Sequence, residues 1–108
     1  MLNAEFPAQV KLRIDDNWLT QYATTEAYVD CRDLDGTRDG RRMRPRGILI
    51  GFNSSDTAAA TATVKLVLWD EKHVHADTYD LACGVIHPLA VQFLYANGTN
   101  GRHIKIFG

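Results

Sequence analysis

The sequence predicts a single all-β domain over residues 1–108, an antiparallel β-sandwich of about six to eight short strands for which a jelly roll is one arrangement. Apolar and polar residues alternate with a period of two in several segments, which is typical of strands with one buried face. Clusters of Gly, Asn, Asp and Pro separate these segments at short intervals. No segment has the pattern of a long amphipathic helix, and the length is sufficient for one hydrophobic core.

The N-terminal segments show both the alternation of strands and the residue clusters of turns. Residues 10–14 alternate between apolar and charged side chains and predict the first strand. Asp-Asp-Asn at residues 15–17 predicts a turn, and a second strand is expected over residues 18–22 with its two aromatic residues on one face. Residues 23–31 are compatible with a short helical turn or with a strand that contains Tyr28, and both alternatives stay open.

The C-terminal half has the strongest strand patterns. We expect strands over residues 47–52, 64–69, 78–81, 85–95 and 103–107. The first of these is apolar throughout, which predicts burial on both sides. By alternation, one face of the longest segment carries Leu89, Val91, Phe93 and Tyr95. Pro88 has no amide donor, so the continuous strand should begin after it or lie at a sheet edge there. Two Asn-Gly pairs within residues 97–101 predict a hairpin turn.

A polar loop is expected over residues 30–46, where arginines and aspartates are interleaved with Gly and Pro. Five of its arginines lie within nine residues: Arg38, Arg41, Arg42, Arg44 and Arg46. Guanidinium groups bind phosphates or acidic protein surfaces, but the aspartates of the same loop neutralise much of the charge. No aromatic residue lies within the loop to stack on bases. We therefore expect pairing within the loop or docking on an acidic protein rather than on nucleic acid.

One string in this loop resembles catalytic chemistry. Asp-Leu-Asp-Gly-Thr at residues 33–37 matches the nucleophile motif of haloacid-dehalogenase-type phosphatases. That motif requires a parallel strand before it and a helix after it, whereas this chain is short and rich in β pattern. We therefore interpret the string as a turn, and predict no enzyme activity, no catalytic residues and no cofactor.

Two further groups could hold a metal ion, although neither is predicted to do so. Asp33, Asp35 and Asp39 could bind calcium, but the distal glutamate of an EF-hand is missing. His73 and His75 would share one face of a strand and could bind a metal with His87 or Asp77. Exposed histidines on the solvent side of a strand are the simpler interpretation, so no metal site is predicted.

Charge and hydropathy give no sign of a membrane or nucleic-acid partner. The formal net charge is −1, and no apolar run approaches the ~18 residues of a membrane-spanning helix. The first residues lack the pattern of a secretory signal, so we expect synthesis in a cytoplasm and reduced thiols at Cys31 and Cys83.

From residue 46 onward the chain resembles a known family. An apolar strand ends in Gly at residues 46–51, and Ala-Cys-Gly-Val-Ile-His-Pro leads into the long strand at residues 82–91. Ala-Asn-Gly-Thr at residues 96–99 precedes a last short strand, residues 104–107. This order is similar to that of small β-structured virion proteins of tailed phages and gene-transfer agents, the head-spike base and decoration proteins. The resemblance covers residues 46–108 and implies an oligomer, often a trimer, that is attached to a capsid or tail.

The expected function is therefore that of a bacteriophage virion structural protein: a capsid decoration or cement protein, or a head-spike base. It would be located in the virion, bound to the major capsid protein or another virion protein and to other copies of itself, a homotrimer being favoured. The residues predicted to contact these partners are Arg41, Arg42, Arg44, Arg46, Phe52, Trp69 and Phe107, and the three aromatic ones are expected to be exposed. The alternative is a glycan-binding adhesion module that uses Trp18, Trp69 or Tyr95.

Overall fold

The structure, a computed structural model, describes residues 9–32, 44–69 and 76–108. It is nearly all β, which confirms the predicted fold class. In the described residues the elements are β1 (Val10–Arg13), α1 (Asp16–Gln21), β2 (Tyr28–Asp30), β3 (Gly47–Leu49), β4 (Phe52–Asn53), β5 (Thr61–Leu68), β6 (Asp77–Ala82), β7 (Ile86–His87), β8 (Val91–Tyr95), β9 (Gly101–Arg102) and β10 (Lys105–Phe107). Ten strands exceed the predicted six to eight within these ranges because β4, β7 and β9 have only two residues each.

The strands form two antiparallel sheets of four. The first has the order β1-β10-β3-β7 and the second the order β2-β8-β5-β6, while β4 and β9 pair separately. With that small pair set aside, the outermost strands of the chain pair with each other and the pairing continues inwards: β1 with β10, β2 with β8, β3 with β7 and β5 with β6. This is the arrangement of a rolled-up hairpin, the jelly roll.

The hydrophobic core lies between the sheets. Both sheets and the helix contribute fully buried aliphatic side chains to it, among them Leu19, Ile48, Val64, Leu66, Val91, Leu94 and Ile106. These residues come from distant parts of the sequence, so the core depends on the non-local strand pairing.

The strand predicted over residues 18–22 is wrong, because this segment forms α1. Asp15 is the N-cap residue, and its side chain accepts a hydrogen bond from the amide of Asn17 at 2.9 Å. The helix buries Leu19 completely and brings Trp18 and Tyr22, four residues apart, to a ring separation of 5.9 Å. The open alternative for residues 23–31 is decided in favour of a strand, β2.

The single strand predicted over residues 47–52 is divided between two sheets. β3 ends at Leu49, and β4 begins at Phe52 in the small β4-β9 pair. Gly51 lies at the break, where its amide donates to the carbonyl of Arg102 at 2.9 Å. A Cβ atom at Gly51 would lie 2.7 Å from the Cβ of His103, so the close approach of the two backbones requires glycine.

The prediction that β8 has one uniform face is also wrong. β8 begins after Pro88 as expected, but its pairing with β5 shifts register between Val67 and Leu68. This bulge changes the alternation, so that Val91 and Leu94 are both buried in the core. The predicted turn after β8 is present at residues 97–98, but it makes no hairpin, because β8 and β9 pair with other strands.

Candidate functional site

The outer face of the second sheet, which is turned away from the core, carries a row of aromatic and cationic side chains. Strand register brings them together: Tyr28 of β2 and Lys65 of β5 both lie beside Tyr95 of β8. The bulge in β8 places Phe93 and Tyr95 on this outer side. Without the extra residue, both side chains would share the inner face with Val91.

Seven residues form a continuous row that we call the outer stripe: Lys65, Tyr95, Tyr28, Phe93, Arg32, Trp69 and Arg44. Each is in ring–ring or cation–ring contact with the next. In that order, the successive distances between ring centroids, or from cation to ring centroid, are 5.7, 5.4, 5.1, 5.0, 5.8 and 5.2 Å. These separations are within the range at which rings and cations attract aromatic rings. The stripe is therefore a connected cluster.

Arg32 is the fixed cation in the middle of the stripe. Its Nε and Nη2 atoms donate to the two carboxylate oxygens of Asp30 at 2.9 and 2.8 Å, and its amide donates to the same carboxylate at 2.9 Å. The hydrogen bond to Asp30 raises the pKa of Arg32, which stays charged. The Arg32 guanidinium is thereby held over Phe93 and beside Trp69.

Exposure varies across the outer face that carries the stripe. Val67 lies on the outer face beside Phe93 and is only 1% exposed, so this part of the face is covered by packed side chains. Tyr28 is 50% exposed, although it contacts the rings of both Phe93 and Tyr95. A large aromatic ring that remains half exposed is available for contact with another molecule.

A depression of about 310 Å³ lies at the Arg44 end of the stripe, and we call it the Trp69 depression. Its lining residues are Arg44, Leu68, Trp69, Pro88, Leu89 and Ala90. The amide of Trp69 donates to the carbonyl of Ala90 at 2.7 Å, which fixes the end of β5 against the segment that precedes β8. The described lining therefore combines aliphatic side chains with the Arg44 guanidinium, the Trp69 indole and polar backbone groups.

The cations of the stripe differ in whether they have a carboxylate partner among the described residues. Among the residues that the structure describes, the ion pairs join Arg32 to Asp30 and His103 to Asp16. In that part of the chain, neither Arg44 nor Lys65 has a carboxylate within ion-pair distance. Both cations lie over aromatic rings at opposite ends of the stripe, so the surface presents positive charge beside exposed aromatic area. Such a surface binds an anionic partner that also brings apolar or planar groups.

A second depression, of about 330 Å³, lies beside the N-terminal end of α1, and we call it the helix depression. Two of its polar residues, Asp16 and His103, contact each other. One carboxylate oxygen of Asp16 accepts from the amide of His103 at 2.9 Å, and the other lies 3.2 Å from Nε2 of that ring. The ring of Phe52 packs against His103 with centroids 4.7 Å apart.

The predicted contact residues separate into different regions. Arg44 and Trp69 meet in the outer stripe, whereas Arg46 is exposed elsewhere, with its amide bonded to the carbonyl of Phe107 at 2.7 Å. The expected exposure of Trp69 and Phe107 is wrong: Trp69 is half-buried, and Phe107 is 8% exposed because β10 lies between β1 and β3. Phe52 is half-buried against His103 rather than part of the stripe. Arg41 and Arg42 lie outside the described residues.

The structure also places the three residues of the glycan alternative in different regions. Trp69 and Tyr95 lie on the same stripe, but Trp18 is part of α1 and packs against the core. Sequence reasoning missed Tyr28, Arg32, Lys65 and Phe93. The sequence gives little indication that these four residues lie together, because only the strand register and the bulge place them on one surface.

The residues considered for catalysis or metal binding are mostly outside the described ranges. This holds for the motif at residues 33–37 and for Asp39, His73 and His75. Within residues 9–32, 44–69 and 76–108, no three His, Cys, Asp or Glu side chains are grouped so that they could hold a metal ion. Cys31 is a free thiol whose pKa is raised by complete burial, and a neutral buried thiol is a poor nucleophile.

Comparison with known proteins identifies no relative. No protein-family model matches the chain, and no curated protein and no solved structure matches it. In the described part of the chain, no helix has both the length and the apolar character needed to cross a membrane.

Proposed function

We propose that the chain is a structural protein of a bacteriophage virion, a capsid decoration or cement protein or a head-spike base, and that it attaches to an acidic surface of another virion protein. The observation that carries the proposal is the outer stripe, which joins three cations and four aromatic rings on one face of a sheet. The proposal includes association with other copies of the chain, with a trimer favoured, as the resemblance of residues 46–108 implies.

The composition of the stripe supports a protein partner. Protein–protein interfaces are enriched in Tyr, Trp, Phe and Arg at their centres, and a few such residues supply most of the binding free energy. Arg32 is already held by Asp30, so this part of the stripe loses little side-chain entropy on binding. Arg44 and Lys65 have no carboxylate partner in the described residues, which favours an acidic surface opposite them.

The jelly-roll arrangement is compatible with this role. Double-sheet jelly rolls occur in viral capsid proteins and also in lectins. Because one fold supports many functions, the arrangement alone does not separate these two roles. The stripe and the resemblance are what favour attachment to a virion.

Incorporation into particles tests the proposal. Virions are produced with the wild-type chain, with Arg44→Ala plus Trp69→Ala, and with Arg13→Ala as a matched control, an exposed arginine of β1 in the other sheet. We expect mass spectrometry of purified particles to find normal copy numbers for the wild type and the control, and strong loss for the double variant. Alanine at all four of Arg41, Arg42, Arg44 and Arg46 should abolish incorporation.

Wild-type protein that is absent from purified particles would contradict the proposal directly. Unchanged copy numbers for the double variant would also contradict it, because attachment would then not use the stripe. Circular dichroism and thermal unfolding of each variant show whether it is folded before copy numbers are compared.

Glycan binding is a second candidate, favoured by one specific observation. Tyr28 is half exposed and lies 5.4 Å from the ring of Tyr95, so the Lys65 end of the stripe offers aromatic faces on which a sugar could stack. A glycan array distinguishes the candidates. Hits that disappear in Tyr28→Ala, for a protein that does not enter particles, would support the glycan module over the virion component.

A further inference from the structure

We propose that the Trp69 depression takes an apolar side chain of the partner protein, and that Arg44 binds a carboxylate next to that side chain in the partner's chain. The inference rests on the proposed function, since it assumes that a protein approaches the outer stripe. It adds the chemistry of the group on the partner that would enter the depression, which we call the anchor. The anchor is an apolar residue flanked by Asp or Glu, or an apolar C-terminal residue with its own carboxylate.

The lining of the depression determines the apolar part of this anchor. Of the described residues that line it, Leu68, Pro88, Leu89 and Ala90 have purely aliphatic side chains. Leu68 and Leu89 also pack against the hydrophobic core, so the lining is supported from beneath. The volume of about 310 Å³ is at the lower end of the roughly 300–1,000 Å³ of ligand pockets, so the depression has room for an apolar side chain.

The wall of the depression is held in place before a partner arrives. The Trp69 amide is bonded to the Ala90 carbonyl, and guanidinium groups of Arg32 and Arg44 lie 5.8 and 5.2 Å from the Trp69 ring. Arg32 is in turn held by Asp30. A fixed indole loses little conformational freedom when a side chain packs against it, which favours binding.

Charge complementarity determines the anionic part of the anchor. Arg44 is exposed and lies at the depression, and the described residues place no carboxylate within ion-pair distance of it. A guanidinium that stacks on an aromatic ring keeps the donors in its plane available for two parallel hydrogen bonds to a carboxylate. The anion is therefore expected at the rim while the apolar group fills the interior.

The same lining argues against a sugar in this depression. Sugar hydroxyl groups need several hydrogen-bonding side chains around an aromatic face. Besides the Arg44 guanidinium and the Trp69 indole N–H, no lining side chain in the described part of the chain can form a hydrogen bond. A sugar would leave hydroxyl groups without partners against Leu68 and Leu89, which is unfavourable.

Trp69 supplies the readout for a direct test. The chain has two tryptophans, so Trp18→Phe leaves Trp69 as the only indole fluorophore. Two probes are titrated into this variant: the blocked hexapeptide acetyl-Gly-Asp-Leu-Phe-Asp-Gly-amide, and the same peptide with both Asp residues replaced by Asn. We expect saturable changes in Trp69 fluorescence with the acidic peptide and about tenfold weaker binding of the Asn peptide, since a charge-assisted hydrogen bond contributes that much or more.

Arg44 variants assign the carboxylate preference to this residue. In the Trp18→Phe background, Arg44→Ala should remove the difference between the two peptides, while Arg13→Ala, at an exposed arginine of the other sheet, should retain it. Arg44→Lys should keep part of the preference, because lysine keeps the charge but lacks the planar pair of donors. The readout is a ratio of two affinities for one variant, so a modest change in stability does not imitate the expected result.

The outcomes separate this inference from the proposed function. No binding of either peptide at millimolar concentration, or equal binding of both, would overturn the inference. Fluorescence changes with methyl glycosides but not with peptides would overturn it in favour of a glycan. If the peptides fail while incorporation into particles still requires Arg44 and Trp69, the anchor chemistry is wrong and the proposed function stands.

Discussion

The helix depression and the Trp69 depression have similar volumes, about 330 and 310 Å³, but they differ in the contacts of Asp16 and Arg44. In the helix depression, Asp16 accepts from the His103 amide and lies beside the ring nitrogen of the same residue. In the Trp69 depression, Arg44 lies over an indole, with no carboxylate partner among the described residues.

This difference separates stabilisation of the fold from availability for binding. Polar groups that satisfy one another stabilise the chain and offer little to another molecule. A cation on an aromatic ring contributes less to stability and keeps donors for a partner. Substitutions in the helix depression are therefore expected to reduce stability, and those in the Trp69 depression to reduce binding.

The largest expected effect is on the helix-depression side, at Gly51. In Gly51→Ala, the new methyl group would lie 2.7 Å from the Cβ atom of His103, so the two backbones must separate. We expect a loss of about 1–3 kcal/mol in the free energy of unfolding, measured by urea denaturation.

Gly84→Ala is the matched control for Gly51→Ala. Gly84 has a φ of 81°, but a Cβ atom there would have no neighbour within 4 Å. Its expected cost is about 1 kcal/mol, from backbone strain alone. Equal or smaller destabilisation by Gly51→Ala would show that the close approach at His103 relaxes at little cost.

A smaller effect is expected for Asp16→Ala, which removes the group that holds His103. His103 has a φ of 53°, a conformation that few residues other than glycine adopt, and its amide depends on the Asp16 carboxylate. We expect about 1–2 kcal/mol of destabilisation, since the hydrogen bond is charge-assisted but the pair is partly exposed to solvent.

Asp16→Asn serves as the comparison, because its amide oxygen can still accept from the His103 amide. Its unfolding free energy should fall by less than that of Asp16→Ala. If the two variants are equally unstable, the ion pair with the imidazole ring contributes more than the backbone hydrogen bond. If both match the wild type, the helix depression does not stabilise the fold in the way described.

How far the sequence predicts the structure depends on whether local or long-range interactions decide each region. The all-β class and the start of β8 after Pro88 follow from alternation and from the missing amide of proline. The helix at residues 16–21 was missed because Trp18, Thr20 and Tyr22 also satisfy a period of two. Asp15 was the overlooked signal, as an acidic residue suited to the N-cap position.

The outer stripe was only partly predictable. Arg44 and Trp69 were singled out from composition, but their contact depends on the pairing of β5 with β8 and on the chain that precedes β3. The outward position of Phe93 depends on a bulge, which inserts one residue into the pairing and leaves no clear mark in the sequence. Alternation alone places Phe93 in the core.

The smallest effect on stability is expected for Arg44→Ala. This variant tests most directly whether the helix depression and the Trp69 depression differ in their roles. Arg44→Ala removes an exposed cation–ring contact, which contributes at most about 0.5–1 kcal/mol. Thermal and urea unfolding should therefore be close to wild type, although copy number in particles falls sharply. A loss of stability as large as that of Asp16→Ala would mean that Arg44 holds the fold together, and that the two depressions do not differ in the way proposed. Near-normal stability with lost attachment is the result expected of a residue that contacts a partner and contributes little to the fold.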